Sequence, residues 1–282
     1  MYQLVASDMD ETFLHHGSVI PPVNLQALRR MRELGVLFVP CSGRPYASIM
    51  GNFAEVDQDL MRGTYVISLN GGFIHRYGED APLTTCEIAP DTARAIYRTA
   101  VEGRYCVHVY LADGHVWVSK TTPTEDAYLA NFPGIVHYDY DTEPDLPFEQ
   151  GQPVAKILYM DYDFDALRRL RDKLKPKMDE RGIDITFSSG RYIEFMPAGV
   201  DKGRGLRRLA ELLDIPIEQT IGIGDAENDY ALIRDAGLGV GVANVADDVR
   251  PVCDVVLKTA GPDGAFPELL ERFIEPAAQA QA

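Results

Sequence analysis

Four short stretches of this chain place carboxylates, a hydroxyl, an amide and a lysine where an apolar run gives way to a turn. Asp8-Met9-Asp10-Glu11-Thr12 follows Leu4-Val5-Ala6, and Ser42-Gly43-Arg44 follows Val36-Leu37-Phe38-Val39. Lys202 opens a helical pattern after Gly199, and Gly224-Asp225-Ala226-Glu227-Asn228-Asp229 follows Thr220-Ile221-Gly222-Ile223. These groups suit the handling of one phosphate. An Asp carboxylate can attack phosphorus and split a difficult hydrolysis into two easier steps. A second Asp two residues on can protonate the leaving alkoxide and later activate water. Asp8 and Asp10 could equally be solvated turn acids or a helix cap. Asp225 and Asp229, at i and i+4, share a pocket if a helix starts near Ala226. Acids at strand ends plus a phosphate make an octahedral Mg²⁺ site, while Asp225 alone could cap a helix over Asn228–Ala236. Ser42-Gly43 offers a hydroxyl and a closely approachable N–H, or an ordinary strand–turn–helix cap with Pro45 in the first turn. Lys202 is either a point charge beside a phosphate dianion or a solvated lysine. Four such junctions in one fold favour a shared crevice at the carboxyl ends of parallel strands.

The elements that must position these groups follow from periodicity. Leu4–Ser7, Val36–Cys41 and Tyr65–Leu69 read as strands, with a helix over Asn24–Gly35 carried by Leu25, Leu28, Met31 and Leu34. After residue 200 the alternation resumes. Leu206, Leu209, Leu212 and Leu213 mark a helix, and Thr220–Ile223, Leu238–Val242 and Asp254–Leu257 are short apolar strands. Strands alternating with helices predict an α/β fold with a doubly wound parallel core sheet. The middle differs. Val107–Leu111 and His115–Ser119 flank Ala112-Asp113-Gly114, a hairpin signal. Val154–Met160 reads as a strand, Asp165–Arg181 as a helix, and Ile183–Phe187 with Tyr192–Met196 as a second hairpin. Tyr138–Pro153, rich in Asp, Glu and Pro, reads as loop. The expected division is a core of residues 1–83 plus 191–282 and an inserted α+β domain of antiparallel strands over 84–190, hinged near Thr84 and near Pro197-Ala198-Gly199.

The 282 residues are 46% apolar and 25% charged, which suits one large or two modest domains with a sizeable core. A formal net charge of −16 disfavours nucleic acid and anionic membranes. An anionic substrate then needs local positive charge, for which Lys202 and Arg44 are candidates. Cys41, Cys86, Cys106 and Cys253 form no Cys-x-x-Cys pair and no zinc-like spacing with His. Reduced thiols in a cytoplasmic protein are expected. No apolar run reaches the ~18 residues of a membrane span, and the N-terminus leads into a strand without the basic region of a signal peptide.

On these motifs the chain resembles the haloacid dehalogenase (HAD) superfamily, and within it the Cof-type phosphatases with a large class IIB cap after the third core strand. The Asp-x-Asp-x-Thr motif stands as Asp8–Thr12, the Thr/Ser motif as Cys41-Ser42-Gly43-Arg44-Pro45, the lysine motif as Gly199–Gly203 and the acidic motif as Gly222–Asp229. Asn70-Gly71-Gly72 looks like the family's Asn-Gly turn before the cap. The resemblance covers essentially the whole chain. It implies that Asp8 is the nucleophile and a Mg²⁺ ligand. It makes Asp10 the general acid/base, giving a backbone carbonyl to the metal. Ser42, the Gly43 N–H, Lys202 and Asn228 would hold the phosphoryl group, Asp225 would bind Mg²⁺, and Asp229 would support that shell. The implied partner is a small phosphorylated metabolite, with no nucleic acid, no membrane, and a monomer or weak homo-oligomer. Cap residues such as Tyr105, His108, Trp117 and Arg191 could line the pocket. The commonest form of the first motif has Gly where Glu11 stands. Pointing inward, Glu11 would repel phosphate; pointing outward, it would change little. A phosphosugar mutase with similar motifs and a non-hydrolytic phospho-acceptor or binding protein are the alternatives. Chain length and Asp10 argue against a receiver-type acceptor, and the complete acid set against an idle binding protein.

Overall fold

The computed structural model describes residues 1–16, 19–130, 132–142, 152–188 and 190–279. The chain opens with β1 (Leu4–Ser7), α1 (Pro22–Glu33), β2 (Leu37–Pro40), α2 (Tyr46–Gly51), α3 (Gln58–Met61), β3 (Tyr65–Ser68), β4 (Phe73–Arg76) and β5 (Pro82–Thr85). It continues with α4 (Pro90–Gly103), β6 (Cys106–Leu111), β7 (Val116–Ser119), α5 (Pro123–Leu129), β8 (Ile135–His137), β9 (Val154–Met160), α6 (Phe164–Asp179), β10 (Ile183–Ser188) and β11 (Tyr192–Pro197). It ends with α7 (Lys202–Leu212), β12 (Thr220–Gly224), α8 (Tyr230–Asp235), β13 (Leu238–Gly241), β14 (Val255–Val256), α9 (Phe266–Leu269) and, after a π-helical turn, α10 (Glu275–Gln279). Two compact units result, one of Met1–Thr84 with Asp201–Ala282 and one of Thr85–Val200. The second boundary lies ten residues beyond the expected 190, because Tyr192–Pro197 pairs with β9 and β10 and so belongs to the insert's own sheet. No described helix is long and apolar enough to cross a membrane.

The first unit is an α/β layer structure. Its sheet has the order β14-β13-β12-β1-β2, every pairing parallel. Strand β3 touches this sheet through a parallel bridge from Ile67 to Cys41 and pairs antiparallel with β4. Both faces are buried, which explains why the strands read as continuous apolar runs rather than alternating ones. Val5 points into a cluster with Phe13, Phe38, Phe53 and Phe266. Leu4 and Ala6 point the other way, into a cluster with Val39, Leu206 and Leu232. Each large side chain buried in this way contributes about 1.5–3 kcal/mol. Parallel pairing also puts the carboxyl ends of β1, β2 and β12 on one edge, where the motif residues begin.

The second unit is a six-stranded sheet of order β10-β11-β9-β6-β7-β8. Both expected hairpins form, and β9 lies between β6 and β11. The pairing is antiparallel except at β8, which joins β7 in parallel. The expected loop over Tyr138–Pro153 lies largely outside the described residues. One sheet face carries Val107, Val109, Ile157 and Phe195 in a cluster with Ile96 and Leu167 of α4 and α6. The other face mixes apolar side chains, among them Cys106, Leu158, Met160 and Tyr192, with buried polar ones. Lys156 and Glu194, both under a tenth exposed, form an ion pair of 3.0 Å. Ser188 Oγ donates to the same carboxylate, and the Lys156 ammonium sits 4.5 Å above the Tyr110 ring. Burial by itself pushes the Glu194 carboxyl up, but Lys156 and Ser188 outweigh it and hold it below the usual range.

Removing one partner of a buried pair strands the other charge, at about 3–5 kcal/mol. Lys156→Met should therefore destabilise the insert by that amount in urea unfolding. Lys156→Met with Glu194→Met should recover most of the loss. Equal stability of the single variant and the native chain would show that the pair carries no net weight.

Candidate active site

The site is built at strand ends. Asp8 continues β1 by donating its N–H to the Ile223 carbonyl at 2.9 Å, which points its carboxylate past the sheet edge while keeping it largely buried. The chain then leaves the sheet in a turn in which Phe13 and Leu14 donate to the Met9 carbonyl at 3.0 and 2.8 Å. This turn buries Thr12, whose Oγ1 donates to Asp225 Oδ1 at 2.7 Å and ties the first motif to the last. Asp225 follows β12. Its backbone N–H and that of Ala226 both donate to Asp229 Oδ2, each at 3.0 Å. A side chain at Gly224 would collide with Asp229, so glycine there is a condition of that close approach.

Lys202 is the first residue of α7, which Asp201 caps by accepting the Arg204 N–H at 2.7 Å. Its side chain is wholly buried, and its ammonium lies 2.5 Å from Asp8 Oδ1 and 2.6 Å from Asp229 Oδ1. Burial alone would lower the Lys202 pKa, but Asp229 and Asp8 outweigh it and the ammonium is held charged. Burial and then Asp229 push the Asp8 carboxyl well up, with Lys202 pulling against them. Asp225 is raised to about 6, chiefly by burial, although the Thr12 hydroxyl favours its ionised form.

Ligand oxygens of Asp8, Asp225 and Asp229 all lie within 4.8 Å of one another. Three carboxylates face one ammonium, so two negative charges stay uncompensated when all are ionised. A small hard divalent cation fits this all-oxygen donor set. The Asp10 carboxylate stands outside the cluster. It is half exposed and pairs with Arg44 Nε at 3.2 Å. Arg44 Nη2 in turn donates to Asn52 Oδ1 at 2.9 Å. Ser42 is buried at the end of β2, and its Oγ accepts the Arg44 N–H at 3.2 Å. Asn228 is exposed and donates to Asn70 Oδ1 at 3.4 Å.

Among sequence-selected residues, Asp8, Lys202, Asp225 and Asp229 thus meet in one cluster. Sequence reasoning gave no role to Thr12 or to the Arg44–Asp10 pair, which pattern cannot show because both are contacts across the fold. It also missed Asn244, whose Nδ2 donates to the Glu11 carbonyl at 3.0 Å while its Oδ1 accepts the Gly261 N–H at 2.9 Å. That clamp explains the Glu11 position. Its φ is +61°, a left-handed conformation that suits the glycine of the commonest motif. The Glu11 side chain turns toward His16 Nδ1 at 2.7 Å and is nearly half exposed. Of the insert residues singled out, His108 is buried, Tyr105 stacks on Tyr159 and Trp117 packs against Tyr138. Arg191 Nε reaches Glu125 Oε2 at 3.3 Å.

The sequence profile of the haloacid dehalogenase-like hydrolases matches residues 5–269 of this chain. The chain belongs to that family, in its Cof type. It is 24% identical over 280 residues to 5-amino-6-(5-phospho-D-ribitylamino)uracil phosphatase YwtE of Bacillus subtilis, covering 92% of this chain and 94% of that one. It is 28% identical over 250 residues to the HMP-PP phosphatase of Klebsiella pneumoniae, covering 89% and 87%. Among solved structures it resembles a haloacid dehalogenase-like hydrolase from Bacteroides thetaiotaomicron, with a TM-score of 0.82, 26% identity and coverage of 97% and 100%.

Two outcomes follow for this HAD hydrolase. A carboxyl raised in the folded state stabilises the fold below its unfolded value of 3.8, and this is lost as pH rises through about 6. A cation must displace that proton. The rise in Tm produced by added Mg²⁺ should therefore be large at pH 7.5 and shrink at pH 5.5, as followed by calorimetry. An equal or larger rise at pH 5.5 would contradict the Asp225 assignment. Glu11→Gly should keep or raise Tm, because it relieves about 1–2 kcal/mol of left-handed strain and gives up only an exposed pair. A clear fall in Tm would mean that the His16 contact outweighs the backbone.

Proposed function

We propose that this HAD hydrolase is a Mg²⁺-dependent phosphatase of small phosphorylated metabolites, working through an aspartyl-phosphate on Asp8. The observation that carries the reading is the buried Asp8 carboxylate at a strand end, bonded by Lys202 through Oδ1. That bond leaves Oδ2 as the attacking atom. Oδ2 adds to phosphorus in line with the ester oxygen, the P–O bond to the leaving group breaks, and Asp10 gives that oxygen a proton. Asp10 must first part from Arg44, and its half-exposed position allows this. Asp10 then takes a proton from water, whose oxygen attacks phosphorus; the bond to Asp8 breaks and orthophosphate leaves. Lys202 stays on Asp8 and Asp229 and offers fixed positive charge to the transferring group.

Ser42, the Gly43 N–H and Asn228 are the phosphate-holding groups in this reading. Mg²⁺ held by Asp8, Asp225 and the Asp10 carbonyl, with Asp229 behind them, would supply charge neutralisation at the phosphoryl oxygens. The core in this reading is the first unit and the cap is the inserted unit, which selects the leaving group. The two relatives are named for different substrates, which supports a substrate class rather than a single compound. Four free cysteines support a cytoplasmic setting.

The test is phosphate release from a panel of sugar phosphates, nucleotides and cofactor phosphates. At least one should be hydrolysed with Mg²⁺ and not after chelation. Asp8→Asn should lower that rate by at least about a thousandfold, with Tm unchanged or raised because a penalised buried acid is gone. Retention of most of the native rate by Asp8→Asn would overturn the covalent step.

A further inference from the structure

The turn after β3 is the most strained backbone near the site. Leu69 and Asn70 have φ of +51° and +53°, and Gly71 follows at +93°. Two successive non-glycine residues in the left-handed region persist only when the surroundings hold them there. Here the hold is specific. The Leu69 N–H donates to the Arg44 carbonyl at 3.1 Å, and the Asn70 N–H to the Ser42 carbonyl at 3.0 Å. A side chain at Gly71 would collide with the Asp201 carbonyl, one residue before Lys202.

The Asn70 side chain uses the position that the strain creates. A Cβ added to Gly43 would lie 3.0 Å from Asn70 Oδ1 and 3.3 Å from its Nδ2, so the amide packs directly over Gly43. The same Oδ1 accepts the Asn228 amide at 3.4 Å. One side chain therefore touches two of the groups assigned to the phosphoryl group, on segments far apart in the sequence.

We infer that Asn70 is a positioning residue of the phosphate pocket, whose side-chain amide sets the Gly43 loop and the Asn228 amide at the spacing that orthophosphate and the phosphoryl group require. The inference rests on the phosphatase reading above. Asn meets both demands of the position. It tolerates the left-handed backbone better than other side chains, and its neutral amide accepts from Asn228 without placing a charge beside an anion. Glycine would satisfy the backbone alone. Aspartate would keep the acceptor and add a repelling charge.

Three variants separate these demands. Asn70→Gly should fold with native Tm, yet weaken inorganic phosphate, measured by calorimetry with Mg²⁺ present, by about tenfold. KM should rise by a similar factor with kcat within about twofold, because the positioned groups hold phosphate before and during reaction alike. Asn70→Asp should weaken phosphate further. Asn70→Ala should match Asn70→Gly in phosphate affinity while losing Tm, since it alone strains the turn. Because Asn70 acts in part through Asn228, Asn70→Gly combined with Asn228→Ala should cost less affinity than the sum of the two single losses. Native phosphate affinity in Asn70→Gly, or full additivity in the double variant, would overturn the inference and leave the phosphatase reading intact. If the unaltered protein neither binds inorganic phosphate nor releases it from any ester, both readings fall together.

Discussion

The site depends on one buried ammonium. Lys202 is wholly enclosed and bonded to Asp8 and Asp229. A charge taken out of water is tolerated only when paired and hydrogen-bonded. Its partners are equally constrained, since two buried carboxylates could not stand side by side without it. The start of α7, the end of β1 and the turn after β12 are thus held to one point by electrostatics. Thr12 and the Asp225 and Ala226 N–H groups complete the arrangement with hydrogen bonds. The remaining excess of negative charge makes the cluster receptive to a divalent cation.

The core of the fold was legible because its sheet is buried on both faces. Leu4–Ser7, Thr220–Ile223 and Leu238–Val242 are apolar runs of strand length bounded by turn residues, and they recur as β1, β12 and β13. The meeting of Asp8, Asp225 and Asp229 was legible for a related reason: parallel strands deliver their carboxyl ends to one edge, whereas Lys202 arrives from the start of α7, after the insert's β11. Both insert hairpins could be read from their turn residues. Helix α4 escaped notice because its buried stripe is Thr92, Ala93, Ile96, Tyr97 and Ala100, in which small and polar side chains dilute the apolar rhythm. The division at 190 cuts through the second hairpin, whose two strands pair with each other, while the hinge expected near Pro197-Ala198-Gly199 falls beside the insert's end at Val200.

What the sequence withheld is largely backbone conformation and long-range contact. The motif position of Glu11 is visible as a departure from glycine, but its outward turn toward His16 and its clamp by Asn244 are not. Asn70-Gly71 announces a turn, yet nothing in the pattern says that Leu69 shares the left-handed conformation or that the turn is bonded to Ser42 and Arg44. Such features are properties of neighbours brought together from distant segments. They concentrate where polar groups must be aimed, while apolar periodicity reports only what must be covered.

The strand order has a consequence for how the chain comes together during synthesis. Strand β1 lies inside its sheet, between β12 and β2, and pairs Leu4 with Thr220. Its other neighbour, β2, is local, but the β12 side of the ladder is absent until most of the chain has left the ribosome. The insert closes its sheet within Thr85–Val200 and precedes β12 in the chain. Vectorial emergence therefore presents a complete insert sheet while the apolar edge of β1 is still open, and closing so long a loop is slow. The residues made first are among the last to acquire all their neighbours, and the ammonium–carboxylate cluster forms only with that closure.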